Sequence, residues 1–418
     1  MKYVSCFLVI FSQLRRGFNS KSKSITMKIS PDIFENTEVA YADRSNGELK
    51  KAKALFQLMS NNGLVSLGSS LANFALSLHL PVSPLFRYTV YNHFCGGETF
   101  DECKKTIQNL DKSGVGVLLN YGVELKEREE DFNKTVEHNI EALQFAGKNK
   151  SVKALCIKLT GFGRHGLFEK IQGGGQLDAD EKREFVAVKK RFEKICNVAE
   201  KNDVPLYVDA EESWIQNPLD EMVEEMMEKY NRGKCIVFNT FQLYRHDRLA
   251  YLQSQIKRAD AGQYILGAKL VRGAYMEKER ERAKEMGYKS PIHRSKKEVD
   301  EDFNEAVNIC LDNLDNLYVC VASQSELSNQ LAMEFTHKKK IDPGNPRIQF
   351  SQLYGMGDNV TFNQAKLGFN ATKYLPYGPV KEVIPYLIRR AQENTSVAGQ
   401  TTRELSLITK EIKRRRAS

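Results

Sequence analysis

The residues best suited to chemistry fall in a few short stretches. Near the end of the chain Arg389 and Arg390 are adjacent, and Glu393 follows four positions after Arg389. Neighbours on a helix stand about 100° apart, so two guanidinium groups can converge on one anion. Their planar forks suit a carboxylate, and Glu393 is spaced to hold Arg389 in place. The competing reading is a basic patch facing water, where charge pairs usually lie. Lys158 stands between apolar neighbours and points to the opposite side from them. A lysine inside a core must meet an anion or go neutral. Asp209, in Asp209-Ala210-Glu211-Glu212, is its expected partner. A salt bridge with no part in chemistry is the alternative. The stretch 269–275 puts Lys269, Val271 and Gly273 on one side and Leu270 and Arg272 on the other. Gly273-Ala274 lets a flat ligand come close to the backbone.

Something must hold these residues together. Short apolar runs recur at 115–121, 152–160, 205–209, 235–241, 265–271, 317–322, 347–350 and 370–375, each of strand length. Amphipathic helical patterns lie between them. One spans 178–198, and one spans 219–230 with Met222, Met226 and Met227 on its core face. Another covers 380–392, entered through Pro379. Eight strand-then-helix units in series imply parallel strands, and eight is the count that closes a (βα)8 barrel of the TIM type. An open doubly wound sheet is the rival α/β arrangement. In a barrel the chemistry sits at the C-terminal strand ends. Lys158, Asp209, Gln242 and Tyr374 all fall there. Residues 31–112 read as a helical region before the barrel, with apolar stretches at 64–78 and 80–90.

The run 161–166 matches GxGxxG, but three glycines at 173–175 follow, and the next strand's acid, Asp209, comes 43 positions after Gly166. A dinucleotide-binding turn needs a helix at once and an acid about 20 residues on, so a glycine-rich barrel loop is the better reading.

Charge excludes a nucleic-acid binder. Of the net +9, residues 1–30 supply +6 and residues 403–418 supply +4, which leaves −1 for 31–402. The first thirty residues are basic, Ser-containing and free of acid, the composition of a mitochondrial transit peptide; a secretory signal is the alternative. The eight cysteines form no CxxC pair, and no histidines pair at ligand spacing, so buried free thiols and no metal are expected. No apolar run is long enough to span a membrane. Leu405, Ile408 and Ile412 share a helical face beside the basic end, which suggests either contact with anionic lipid or a solvated tail.

Taken with their order, Asp209-Ala210-Glu211-Glu212, the strand 269–275, and Tyr374-Leu-Pro-Tyr-Gly followed by Arg389-Arg390-Ala-Gln-Glu393-Asn394 resemble the proline dehydrogenase family over roughly residues 110–400. The resemblance implies a distorted (βα)8 barrel over 113–402 with FAD at the strand ends, oxidation of L-proline to 1-pyrroline-5-carboxylate, and electron transfer to ubiquinone at the mitochondrial inner membrane. It implies that Arg389, Arg390 and Lys158 hold the proline carboxylate, that Asp209 orients Lys158, and that Glu393 pairs with Arg389. Tyr374, Tyr275 and Ala274 would pack on the ring. Ala210, Gln242, Lys269, Arg272, Gly273, Ala274, Ser323 and Gln324 would contact the flavin, and Asp209 and Lys269 would be the catalytic pair. Ser323-Gln324-Ser325 departs from the Thr/Ser-His-Asn run of many members, which puts the flavin contact there in question. Hydroxyproline dehydrogenase and a non-catalytic metabolite-binding barrel are the alternatives; bulky Tyr374 favours proline over its hydroxylated form.

Overall fold

The computed structural model of the chain describes residues 29–30, 32–61, 63, 83–122, 127–396 and 399–417. Residues 31–418 form one unit and residues 1–30 another. The proposed transit peptide and the apolar stretch 64–78 lie almost wholly outside the described residues.

Eight strands form the centre of the larger unit: β1 (Gly116–Tyr121), β2 (Val152–Ile157), β3 (Leu206–Val208), β4 (Val237–Gln242), β5 (Leu266–Val271), β6 (Leu317–Ala322), β7 (Ile348–Leu353) and β8 (Ala371–Tyr377). Each is parallel to the next, and β8 closes the barrel by pairing with β1, with Leu118 opposite Tyr374. The open-sheet alternative is excluded. The strands read as near-continuous apolar runs because both faces are covered, one by the barrel interior and one by helices. Leu118, Ala154, Cys156, Tyr207, Phe238 and Cys320 fill the interior as one packed cluster. The seven described cysteines are all buried and unbridged, and burial raises the thiol pKa of each.

The longer helices before the barrel are α1 (Asn46–Met59) and α2 (Phe100–Lys112). Those packed around it are α3 (Glu129–Gly147), α4 (His165–Gln172), α5 (Ala179–Asn202), α6 (Gln216–Tyr230), α7 (Arg248–Gly262), α8 (Met276–Met286), α9 (Lys296–Asp312), α10 (Glu326–Lys338) and α11 (Asp358–Lys366). Their starts follow local chemistry. Asp178 caps α5 by accepting from Asp180 N and Glu181 N, and Glu181 reaches back to the Asp178 amide. The glycine-rich stretch after β2 forms a single 3-10 turn, Leu159–Gly161, and then α4. On α6, Met222 and Met227 are buried and Met226 is half-buried.

Two helices end the chain: α12 (Val380–Ser396) and α13 (Gln400–Ala417). The second corrects the reading of 403–418 as a tail. Leu407 and Ile408 are buried, and Leu405 and Ile412 partly so, in a core with Leu49, Phe56 and Met59 of α1. The apolar face that suggested contact with lipid is therefore occupied within the protein. Each such side chain contributes about 1.5–3 kcal/mol when fully buried, which outweighs solvation of so short a segment. The basic end is held too. Arg414 and Arg415 both bind Glu411, and Arg415 also donates to the carbonyls of Tyr41 and Arg44.

Candidate active site

A cavity of about 660 Å³ opens at the C-terminal ends of the strands. At its floor three side chains from three strands meet. Asp209 is the first residue after β3, and its amide donates to the Ile157 carbonyl at 2.8 Å. Lys269 projects from β5 with its Nζ 2.5 Å from Asp209 Oδ1, and the Tyr374 hydroxyl of β8 donates to Asp209 Oδ2 at 2.8 Å. The Lys269 ammonium also stands 5.0 Å from the centre of the Tyr374 ring. Burial works against a charged Lys269, whose side chain is only 6% exposed, but the Asp209 carboxylate outweighs it and holds the amine above its ordinary pKa. Burial, reinforced by Asp209, pushes the Tyr374 hydroxyl up.

This arrangement corrects the pairing expected for Lys158. The bonds of the Asp209 carboxylate go to Lys269 and Tyr374 rather than to Lys158. The Lys158 Nζ instead donates to the Tyr275 hydroxyl at 3.1 Å and lies 5.7 Å from that ring's centre. Lys158 also acts on Glu211, whose carboxyl burial pushes up while Lys158 draws it down. Glu211 also accepts from the Thr160 amide and hydroxyl.

Above the floor stands a cationic wall. Arg389 and Arg390 of α12 both line the cavity. The Arg389 guanidinium is 6.0 Å from the Tyr275 ring centre and 5.9 Å from that of Tyr386, and Arg390 is 5.3 Å from Tyr386. Tyr275 thus lies between Lys158 and Arg389, and three cations converge around two buried aromatic rings. Tyr386, Arg389 and Arg390 are spaced i, i+3 and i+4, one face of a helix, and that spacing was the available sign that Tyr386 belongs to the site. The side chain of Glu393 lies outside the described residues.

The opposite wall is held rigidly. Gln242 is buried; its Oε1 accepts from Ala274 N at 3.2 Å and its Nε2 donates to the Glu211 carbonyl at 2.7 Å. One N–H and one lone pair of that amide remain for a ligand. The Arg272 guanidinium bonds Asp300 at 2.8 Å, Ser328 at 2.7 Å and the Ser323 hydroxyl, and lies 4.5 Å from the Phe303 ring centre. Strand alternation ends at Val271, so Arg272 reaches the cavity as well as Lys269. Gly273 has φ +141°, and an added Cβ would stand 2.4 Å from the Tyr244 ring, so no other residue fits there. Ala210, Ala274, Ser323 and Gln324 complete this side. Gln400, Arg403 and Glu404 of α13 also line the cavity. Arg403 and Glu404 were missed because 403–418 read as a tail, and Gln400 because it lies at the end of the region assigned to the barrel, although their i, i+3, i+4 spacing marks one helix face.

A family model described as proline dehydrogenase matches residues 103–403. The chain belongs to the proline dehydrogenase family. It is 30% identical to proline dehydrogenase 1, mitochondrial, of Dictyostelium discoideum, across 91% of this chain and 74% of that one. It is 31% identical to the carbapenem antibiotics biosynthesis protein CarD of Pectobacterium carotovorum, across 77% of this chain and 83% of the relative. Among solved structures, proline utilization A from Bdellovibrio bacteriovorus superposes with a TM-score of 0.68 at 17% identity, covering 94% of this chain. That likeness is one of fold, and this chain spans 42% of the solved one.

Proposed function

We propose that this chain oxidises L-proline to 1-pyrroline-5-carboxylate with FAD as cofactor, and that the electrons pass to ubiquinone. The observation that carries the reading is the set of three cations, Lys158, Arg389 and Arg390, facing a cavity floored by Asp209, Lys269 and Tyr374 in a chain of this family. A cavity of about 660 Å³ is of the size that holds small ligands and cofactors. Its walls fit a flavin. Arg272 offers a charge fixed by several hydrogen bonds, Gln242 and Gln324 offer amide groups, and Gly273-Ala274 leaves the backbone uncovered. Lys269, Ala210 and Ser323 would border the ring system and its chain.

FAD, when bound, supplies the acceptor for the hydride that leaves proline C5. The protein's part is to bind and orient. Arg389, Arg390 and Lys158 would clamp the carboxylate, the one fixed charge that proline offers for orientation. Held there, the same cations disfavour a charged amine and so promote loss of its proton. Tyr275, Tyr374 and Ala274 would pack against the ring, and Glu393 would brace Arg389. The Asp209 carboxylate fixes both Lys269 and Tyr374, so the floor is set before substrate arrives, and positioning of this kind lowers the barrier by several kcal/mol.

The mitochondrial names of relatives and the composition of residues 1–30 support a mitochondrial site of action, at the matrix face of the inner membrane. Among the described residues, no helix is long and apolar enough to cross a membrane. The test is direct: the purified protein should be yellow, and L-proline added without oxygen should bleach it. Protein that keeps its colour with saturating proline would overturn the reading.

A further inference from the structure

The last helix of the chain reaches into the cavity wall. On one side α13 is bolted to the start of the chain: Glu411, fully buried, accepts from the Thr37 hydroxyl at 2.9 Å. On the other side it meets two loops at the strand ends. Arg403 Nε donates to Glu326 at 2.8 Å and its far nitrogen also binds Glu35, which ties the first turn of α10 to the start of the chain. Glu404, 5% exposed, accepts from the Gly357 amide at 2.6 Å, at the left-handed turn (φ +61°) that leads from β7 into α11. Gln400 Nε2 donates to Gln324 Oε1. Gln324, Gln400, Arg403 and Glu404 all line the cavity.

A primary amide has one oxygen and two N–H donors. With its oxygen taken by Gln400, Gln324 has its N–H groups left to present to the cavity. We propose that α13 is part of the cofactor site: Gln400 is a positioning residue that sets the orientation of the Gln324 amide, so that Gln324 donates to bound FAD. Arg403 and Glu404 hold the two loops that carry this wall. The inference rests on the reading of the cavity as a flavin site.

The test is FAD affinity, measured as release of flavin from diluted holoenzyme by the rise in free-flavin fluorescence. Gln400→Ala should raise the Kd about five- to tenfold, the effect of one lost orienting hydrogen bond. Gln400→Glu should do at least as much, because a carboxylate cannot donate to Gln324 Oε1 and would draw the amide round to face it. In a Gln324→Ala background, Gln400→Ala should add little, since the group it orients is gone. A merely structural role would instead add its full effect there. Wild-type protein that binds no FAD defeats the cofactor reading and this inference with it. Wild-type binding with unchanged Kd in both Gln400 variants, or additive losses in the double variant, overturns the inference alone. Thermal midpoints of the flavin-free proteins identify a variant that has lost its fold, and the second Gln400 substitution then decides.

Discussion

Glu404 is the sharpest point at which to test the structure by pH. Its side chain is buried between α13 and the loop after β7, and burial pushes its pKa up from the ordinary 4.5 to about 7. The Gly357 amide bond and Lys373 pull the other way, while Asp358 adds to the rise. In the unfolded chain the carboxyl releases its proton near 4.5, so between that pH and about 7 the folded state holds a proton that the unfolded state does not. The stabilisation is complete below about 4.5 and is lost as pH rises through about 7. At about 1.4 kcal/mol per pH unit, the gap from 4.5 to about 7 corresponds to about 3 kcal/mol. Glu404→Gln keeps the shape and an acceptor for Gly357 but never ionises. Urea unfolding at pH 5 should give wild type and variant similar stabilities. At pH 8 the variant should be the more stable, by up to about 3 kcal/mol. The same difference at both pH values, or a variant weaker at pH 8, would refute the placement of an acid in that buried position.

Arg389→Met and Arg390→Met should each raise KM for proline steeply while flavin stays bound; steady-state kinetics with wild-type KM would remove the carboxylate clamp. Asp209→Ala strips the counter-ion from a lysine that is almost fully buried and should cost about 3–5 kcal/mol in denaturant titration. Asp209→Asn should cost less, because one acceptor remains for Tyr374; equal losses would show that the lost charge accounts for the whole effect and the Tyr374 bond for none of it. Tyr374→Ser should shift preference toward 4-hydroxyproline, as judged by kcat/KM for the two substrates. An unchanged ratio would free Tyr374 of any role in ring recognition.

Much of the barrel was legible in the sequence because a strand buried on both faces leaves a plain apolar run. The predicted run 317–322 matches β6, and the predicted 152–160 ran past the end of β2 only because Leu159 continues the apolar pattern into a turn. Asp209, Lys269 and Tyr374 could be singled out because charge or a hydroxyl near a strand end is unusual, and the two arginines because they are neighbours on a helix. Which of them touch could not be. Lys158 and Asp209 come from neighbouring strands and look like natural partners, but Lys269 and Tyr374 reach the carboxylate from strands that the linear order does not set beside it. The last segment was misread for a related reason. The apolar face of α13 is short and followed by four basic residues, which looks like a tail until its partner, α1, is known. Nothing in the local composition of 400–417 points to a helix some 350 residues earlier.

The two ends of the unit depend on each other, and this fixes the order in which the molecule can be assembled. Thr37 and Glu411 are 374 positions apart, and β1 finds one of its two neighbours only when β8 exists. During synthesis the edge of β1 and the greasy side of α1 must therefore wait, unpaired, while nearly all the rest of the chain is made. Such late, long-range closure is slow and leaves a growing polypeptide prone to sticking to itself. A chain stopped short of α13 would leave the greasy side of α1 without its cover, so α1 is sealed by a stretch made some 350 residues after it.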